Sequence, residues 1–132
     1  GIKFMEVGFK QITAATDDRD PDGIKYRFYF AANGVRDNEL CKMIENDIGA
    51  DGHLKTISIR VKVSYTNVNG TAAYRYIEIP EANVIILATS NKTIDVTLRG
   101  IGSVQNLTFS AEIVSTAPNG TSVVIGSSPL SV

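Results

Sequence analysis

Residues 54–66 read LKTISIRVKVSYT, and their side chains alternate between apolar and polar almost without a break. The apolar parity consists of Ile57, Ile59, Val61, Val63 and Tyr65. Successive side chains of a β-strand point to opposite faces of the sheet. The period of two therefore predicts a strand with one buried face and one solvent-exposed face.

Weaker copies of this pattern occur along most of the chain. They predict further strands at 2–13, 24–30, 72–79, 83–88, 92–99, 105–114 and 121–126. Turn-forming Gly, Pro, Asn and Ser residues separate most of them. Short strands at regular intervals are typical of sandwiches and barrels. The sequence thus predicts a mainly β protein, a β-sandwich or flattened barrel of about seven or eight mostly antiparallel strands.

One segment has a different period. Within residues 37–48, apolar side chains recur at helical spacing, at Leu40, Met43, Ile44 and Ile48. Asp37 can cap the first turn, and Gly49 can end the last. The pattern predicts one α-helix over about 37–48, packed against the sheet.

Asn69-Gly70 is a strong hairpin signal, because both residues accept the positive φ of a tight turn. A two-residue loop would pair Val63 with Tyr76. A three-residue loop with a bulge would instead set Val61 opposite Ile77. The sequence alone leaves both registers open.

The composition indicates an ordinary folded domain. The 132 residues are 43% hydrophobic and 20% charged, with a net charge of −1. This predicts a single β-rich domain over 1–126, followed by a tail or linker at 127–132. The weak net charge gives no reason to expect nucleic acid as a partner. No apolar run reaches the length of a membrane-spanning helix, so we expect no membrane insertion.

The acidic loop around Asp18, Asp20 and Asp22 has the alternate spacing seen in calcium-binding loops. An EF-hand is excluded, because its twelfth position would be Tyr29 on a predicted strand. Asp and Gly are also ordinary turn formers. The sequence leaves two alternatives here, a structural calcium site or a solvated turn.

Cations and aromatic side chains are interleaved around the predicted hairpin. Arg60, Lys62 and Arg75 are expected on its solvent-exposed face, within reach of tyrosines such as Tyr74. Such a surface can bind a ligand, for example a sugar ring. Lys and Arg on exposed strands also serve simply to keep sheets soluble.

Residue types that carry catalysis are sparse in this chain. Cys41 is the single cysteine, and His53 is the single histidine. Cys41 lies at the margin of the apolar helical stripe, where a free cysteine is usually a buried hydrophobe. Neither residue belongs to a recognisable nucleophile motif. We therefore expect a protein that is not an enzyme and that needs no cofactor, unless the acidic loop binds calcium.

The expected function is that of a non-enzymatic structural or adhesive domain. It would be a subunit or excised domain of a larger assembly, such as a phage or virus particle, a tail or an extracellular appendage. Its partners would be other protein subunits, most simply copies of itself, on an extracellular or virion surface. The alternative is a carbohydrate- or ligand-binding module with a structural calcium ion; an enzyme is a third, weaker hypothesis.

Overall fold

The computed structural model describes residues 6–13, 23–31, 39–90 and 92–130. These residues form seven strands and two helices. In chain order they are β1 (Glu6–Thr13), β2 (Gly23–Ala31), α1 (Glu39–Asp47), β3 (Ile57–Thr66), β4 (Ala72–Glu78), α2 (Glu81–Ile86), β5 (Lys92–Arg99), β6 (Gln105–Thr116) and β7 (Ser122–Leu130).

The strands form two antiparallel sheets. One has the order β1-β2-β5, and the other has the order β4-β3-β6-β7. The helices lie in the two connections that follow β2 and β4, where the chain passes from one sheet to the other. The predicted β-sandwich is thus confirmed, with a strand number at the lower end of the expected range.

The core lies between the two sheets, and the alternation of β3 explains how it forms. Ile59, Val61 and Val63 are fully buried, as their parity predicted. From the opposite sheet, the rings of Tyr26 and Phe28 lie 5.1 and 5.4 Å from the ring of Phe109 on β6. These aromatic contacts join the inner faces of the two layers.

Helix α1 confirms the predicted helical segment. Leu40 and Ile44 are fully buried on its inner face, and Met43 is partly buried. The expected cap, Asp37, lies outside the described residues. The helix ends at Asp47, which turns its carboxylate toward the loop that precedes β3.

The β3–β4 hairpin has the three-residue loop. Val61 is opposite Ile77, and the Asn67 N–H donates to the Thr71 carbonyl at 2.8 Å. Gly70 has φ of 85°, a conformation that a glycine adopts without strain. The β6–β7 hairpin repeats this turn at its own tip, where the Ala117 N–H donates to the Thr121 carbonyl and Gly120 has φ of 88°.

The prediction of a strand at 83–88 is wrong, because residues 83–86 belong to helix α2. Val84 and Leu87, three residues apart, are both buried, whereas Ile86 is partly exposed. That spacing follows a helical turn and does not follow strand alternation. A short apolar run does not distinguish the two structures by period alone.

The prediction of a tail from residue 127 is also wrong for 127–130. These residues continue β7, and Leu130 is buried opposite Phe109. A register shift near Gly126 interrupts the alternation on which the sequence reading relied. Pro129 is tolerated because β7 is an edge strand of its sheet.

Candidate interaction surface

The outer face of the four-stranded sheet carries a cluster of two tyrosines and two cations. The ladder places Tyr76 of β4 opposite Lys62 of β3, and Tyr74 opposite Ser64. Arg60 lies two residues before Lys62 and shares its face. We call Arg60, Lys62, Tyr74 and Tyr76 the tyrosine–cation face.

Each cation of this face lies over a tyrosine ring. The guanidinium carbon of Arg60 is 3.9 Å from the ring centroid of Tyr76, and Nζ of Lys62 is 4.7 Å from that of Tyr74. The two rings contact each other edge to face, with centroids 5.4 Å apart. Cation–π contacts at exposed sites contribute about 0.5–1 kcal/mol each. The four side chains therefore restrain one another.

A salt bridge fixes Arg60 from its other side. Its Nε donates a hydrogen bond of 2.9 Å to Oε1 of Glu112 on β6. The two side chains are only 23% and 14% exposed. Water screens such a pair less than it screens a fully exposed one. Arg60 thus forms a rigid base beneath the ring of Tyr76.

The tyrosines of this face nevertheless remain open to solvent. Tyr74 is 59% exposed and Tyr76 is 40% exposed. Both belong to β4, which lies at the edge of its sheet. The surface therefore presents ordered aromatic area that the described part of the chain leaves uncovered.

The expectation that Arg75 shares this face is wrong. Arg75 is opposite Val63, on the inner parity of the hairpin. Its guanidinium donates to the Arg99 carbonyl at 2.8 Å and lies 5.3 Å from the ring centroid of Tyr65. The three-residue loop shifts β4 by one residue, and such a shift moves every side chain of the strand to the other face.

The carboxylates predicted to bind calcium, those of Asp18, Asp20 and Asp22, lie outside the described residues. Their metal site stays a prediction. Within the residues that the structure describes, no group of three or more His, Cys, Asp or Glu side chains is placed to hold a metal ion.

The Asp47 carboxylate organises the start of β3. It accepts hydrogen bonds from the backbone N–H groups of Lys55, Thr56 and Ile57 at 2.8–3.0 Å, and from Oγ1 of Thr56 at 2.7 Å. Burial acts to raise the pKa of Asp47, but these hydrogen bonds outweigh it and lower the pKa below its usual value. The carboxylate therefore holds helix α1 to the loop that follows it.

The thiol of Cys41 and the imidazole of His53 have different partners. Cys41 is buried, with its Sγ 3.4 Å from the Leu87 carbonyl oxygen, and burial raises the pKa of its thiol. His53 is exposed, and its Nδ1 lies 3.1 Å from Oε2 of Glu81. A raised thiol pKa is the opposite of what a cysteine nucleophile requires.

The His53–Glu81 pair predicts a pH-dependent stability. The hydrogen bond to Glu81 raises the pKa of His53, while the Leu54 N–H and then His53 lower the pKa of Glu81. The contribution of His53 to stability is complete below its ordinary pKa of 6.5, and it is lost as the pH rises through the raised pKa. The glutamate contribution is complete above its ordinary value of 4.5. Both are present between pH 4.5 and 6.5.

We therefore expect the melting temperature of the wild type to fall, relative to that of His53→Gln, when the pH rises from 5.5 to 8.5. Thermal unfolding followed by circular dichroism at both pH values measures this difference. Glu81→Gln should reduce the same dependence strongly, because it removes the carboxylate that His53 contacts and leaves only the charge of Asp51 to raise the pKa of His53. Parallel pH profiles for the wild type and His53→Gln would contradict the assignment.

A shallow depression of about 450 Å³ lies beside helix α1. Its lining residues are Lys42, Met43, Asn46, Asp47, Thr56 and Ile57. The only carboxylate among them, that of Asp47, already accepts the hydrogen bonds of the loop before β3. The depression is therefore a weaker candidate for a binding site than the tyrosine–cation face.

Neither helix in the described part of the chain has the length and apolar character needed to cross a membrane. Comparisons with protein-family models, curated proteins and solved structures found nothing that matches this chain.

Proposed function

We propose that this chain is a non-enzymatic structural or adhesive domain that joins protein subunits through the outer face of its four-stranded sheet. One observation carries the proposal. Tyr74 and Tyr76 remain substantially exposed on an edge strand although the cations beneath them hold their rings in place. Tyrosine and arginine are the residue types that most often dominate binding energy at protein interfaces.

The side chains of the tyrosine–cation face are already ordered in the free protein, and this favours the binding of a partner. Association normally costs about 0.5–1.5 kcal/mol for each flexible side chain that becomes immobilised. Here Glu112 restrains Arg60, Arg60 contacts the ring of Tyr76, and that ring contacts Tyr74. These contacts already restrain the side chains in the free protein, so less conformational entropy is lost on binding. The partner still gains the contact area of the rings.

The surroundings of the face fit a protein partner. Ser64 lies opposite Tyr74, and Ser110 of β6 lies opposite Lys62. The charge of Arg60 is balanced by Glu112. A nearly neutral surface with aromatic anchors and small hydroxyl groups is typical of protein interfaces. The assembly would be a phage or virus particle, a tail or an extracellular appendage, built from copies of this chain.

The proposal predicts self-association that depends on both tyrosines. In sedimentation experiments over a range of concentrations, Tyr74→Ser combined with Tyr76→Ser should raise the dissociation constant about 30-fold or more, as expected for hot-spot residues. The matched control is Tyr29→Ser, which removes a 39% exposed tyrosine from the other sheet. It should leave association unchanged. A wild type that stays strictly monomeric at high concentration would overturn the proposal.

A second candidate function is carbohydrate binding, favoured by the 59% exposure of Tyr74 beside Lys62. A ring held in this way can stack on a sugar while the ammonium group bonds to its hydroxyl groups. A calcium ion at Asp18, Asp20 and Asp22 would belong to this alternative. Screening against immobilised glycans, with Tyr74→Ser as the control variant, tests the sugar. An unchanged melting temperature after chelation would argue against the calcium.

A further inference from the structure

Strand β4 has an open edge. It pairs with β3 on one side, and the order of the described sheet places no strand on its other side. At the two ends of the β3–β4 ladder, the Asn67 N–H donates to the Thr71 carbonyl, and the Ile79 N–H donates to the Ile59 carbonyl. Hydrogen-bonded pairs alternate along an antiparallel ladder. The odd-numbered residues of β4 thus bond to β3, and the backbone groups of Ala72, Tyr74, Tyr76 and Glu78 point outward.

Strand β4 lacks three of the features that usually protect a sheet edge, although it carries two charged residues, Arg75 and Glu78. Residues 72–78 read AAYRYIE, without proline or lysine, and their pairing with β3 shows no register shift. Arg75 is drawn away toward the Arg99 carbonyl. Edge strands of monomeric proteins are commonly blunted by charge, proline or a bulge.

The opposite edge of the same sheet provides a contrast. Strand β7 has a register shift near Gly126 and contains Pro129, and β1 of the other sheet lies next to it. Each of these features hinders the addition of another strand. Of the two edges of the four-stranded sheet, β4 is thus the one suited to pairing.

We propose that β4 pairs antiparallel with β4 of a second copy, so that two four-stranded sheets join across a two-fold axis. This inference rests on the proposed function and names the partner and the edge. Antiparallel pairing of one strand with itself gives the self-complementary contact that two-fold symmetry requires. Main-chain hydrogen bonds provide the affinity, as in other cases of strand addition.

The side chains of β4 distinguish the possible registers of this pairing. Centring the axis on Arg75 would set the two arginines directly opposite each other, which is unfavourable for like charges. Centring it on Tyr76 sets Tyr76 opposite Tyr76 of the partner subunit, and Tyr74 opposite Glu78 of the partner subunit. The tyrosine hydroxyl can then donate to the carboxylate. Centring it on Tyr74 would set Glu78 opposite Gly70 of the partner subunit, which lies in the turn.

Two variants at Glu78 distinguish the contribution of main-chain hydrogen bonds to association from that of the side chain. Glu78→Pro removes an outward N–H group and no bond of the β3–β4 ladder, whereas Glu78→Ala removes only the carboxylate. In sedimentation equilibrium we expect Glu78→Pro to weaken association about 30-fold or more, and Glu78→Ala to weaken it less than Glu78→Pro does. Circular dichroism and melting temperature check that both variants are folded.

Disulfide formation tests the register without a proline. Antiparallel hydrogen-bonded pairs have Cα atoms about 5.5 Å apart, which is within disulfide range. Tyr76→Cys should therefore form a covalent dimer under mild oxidation at a protein concentration above the dissociation constant of that variant. Thr93→Cys, at an exposed position on β5, should not, and neither should the wild type, whose Cys41 is buried.

The outcomes distinguish this inference from the proposed function. Weakened association in Glu78→Pro together with a Tyr76→Cys dimer supports β4 pairing. A wild type that associates, with Glu78→Pro equally associated and Tyr76→Cys not cross-linked, overturns β4 pairing but leaves the assembly function standing. A wild type that is monomeric throughout overturns both.

Discussion

Replacing Phe109 with alanine should lower the free energy of unfolding by about 3–5 kcal/mol. Phe109 is almost completely buried, and its ring contacts Tyr26 and Phe28 of the opposite sheet. Its removal leaves a cavity at the junction of the two layers, lined by side chains that cannot all move to fill it. Urea denaturation followed by circular dichroism measures the loss.

The control is Phe109→Leu, which keeps most of the buried volume and should cost about 1–1.5 kcal/mol. A loss of less than about 1 kcal/mol for the alanine variant would be too small for a fully packed aromatic residue. It would show that the two sheets do not pack against each other at this position.

Asp47→Ala should lower the free energy of unfolding by about 3 kcal/mol, since it leaves three backbone N–H groups and one hydroxyl without their charged acceptor. The pKa of Asp47 is lowered in the folded state, so its contribution is complete above the ordinary value of 3.8. The difference between wild type and variant should therefore narrow as the pH falls below 3.8. Urea denaturation at several pH values measures this.

The matched control for Asp47→Ala is Glu45→Ala, an exposed acid on the same helix. It should change stability by no more than about 0.5 kcal/mol. If the two variants behaved alike, the Asp47 carboxylate would not be the group that orders residues 55–57.

The residues whose loss lowers stability should differ from those whose loss weakens association. Phe109 and Asp47 support the fold and are not part of the tyrosine–cation face. The side chains of Tyr74 and Tyr76 are 59% and 40% exposed, so their loss should affect association more than melting temperature. A variant that loses association while its unfolding is unchanged would locate the interface on this face.

The candidate surface was only partly predictable. Arg60, Lys62 and Tyr74 were expected there and are found together, because the alternation of β3 fixes the face of both cations. Tyr76 was not named as a member, although it shares the strand parity of Tyr74. A two-residue turn would have turned both tyrosines inward, and the three-residue turn places both on the outer face. The Asn69-Gly70 signal was compatible with both loop lengths, and one residue in the turn decided the orientation of the whole strand.

Amino-acid order alone determined that most of the chain forms two-faced strands and that one segment forms a helix. Alternating apolar residues in β3, β5 and β6 must bury one face, and the stripe through Leu40 and Ile44 must form one side of a helix, because these periods are local properties of the chain. Tertiary structure decided three further points: the helix at 81–86, the continuation of β7 through 127–130, and the faces of Arg75 and Tyr76. The first two depend on contacts with residues distant in sequence, such as Glu81 with the Leu54 N–H and Leu130 with Phe109. The third depends on the length of a turn that the Asn69-Gly70 signal leaves open. A local sequence pattern does not specify such features, so these three points became clear only from the folded structure.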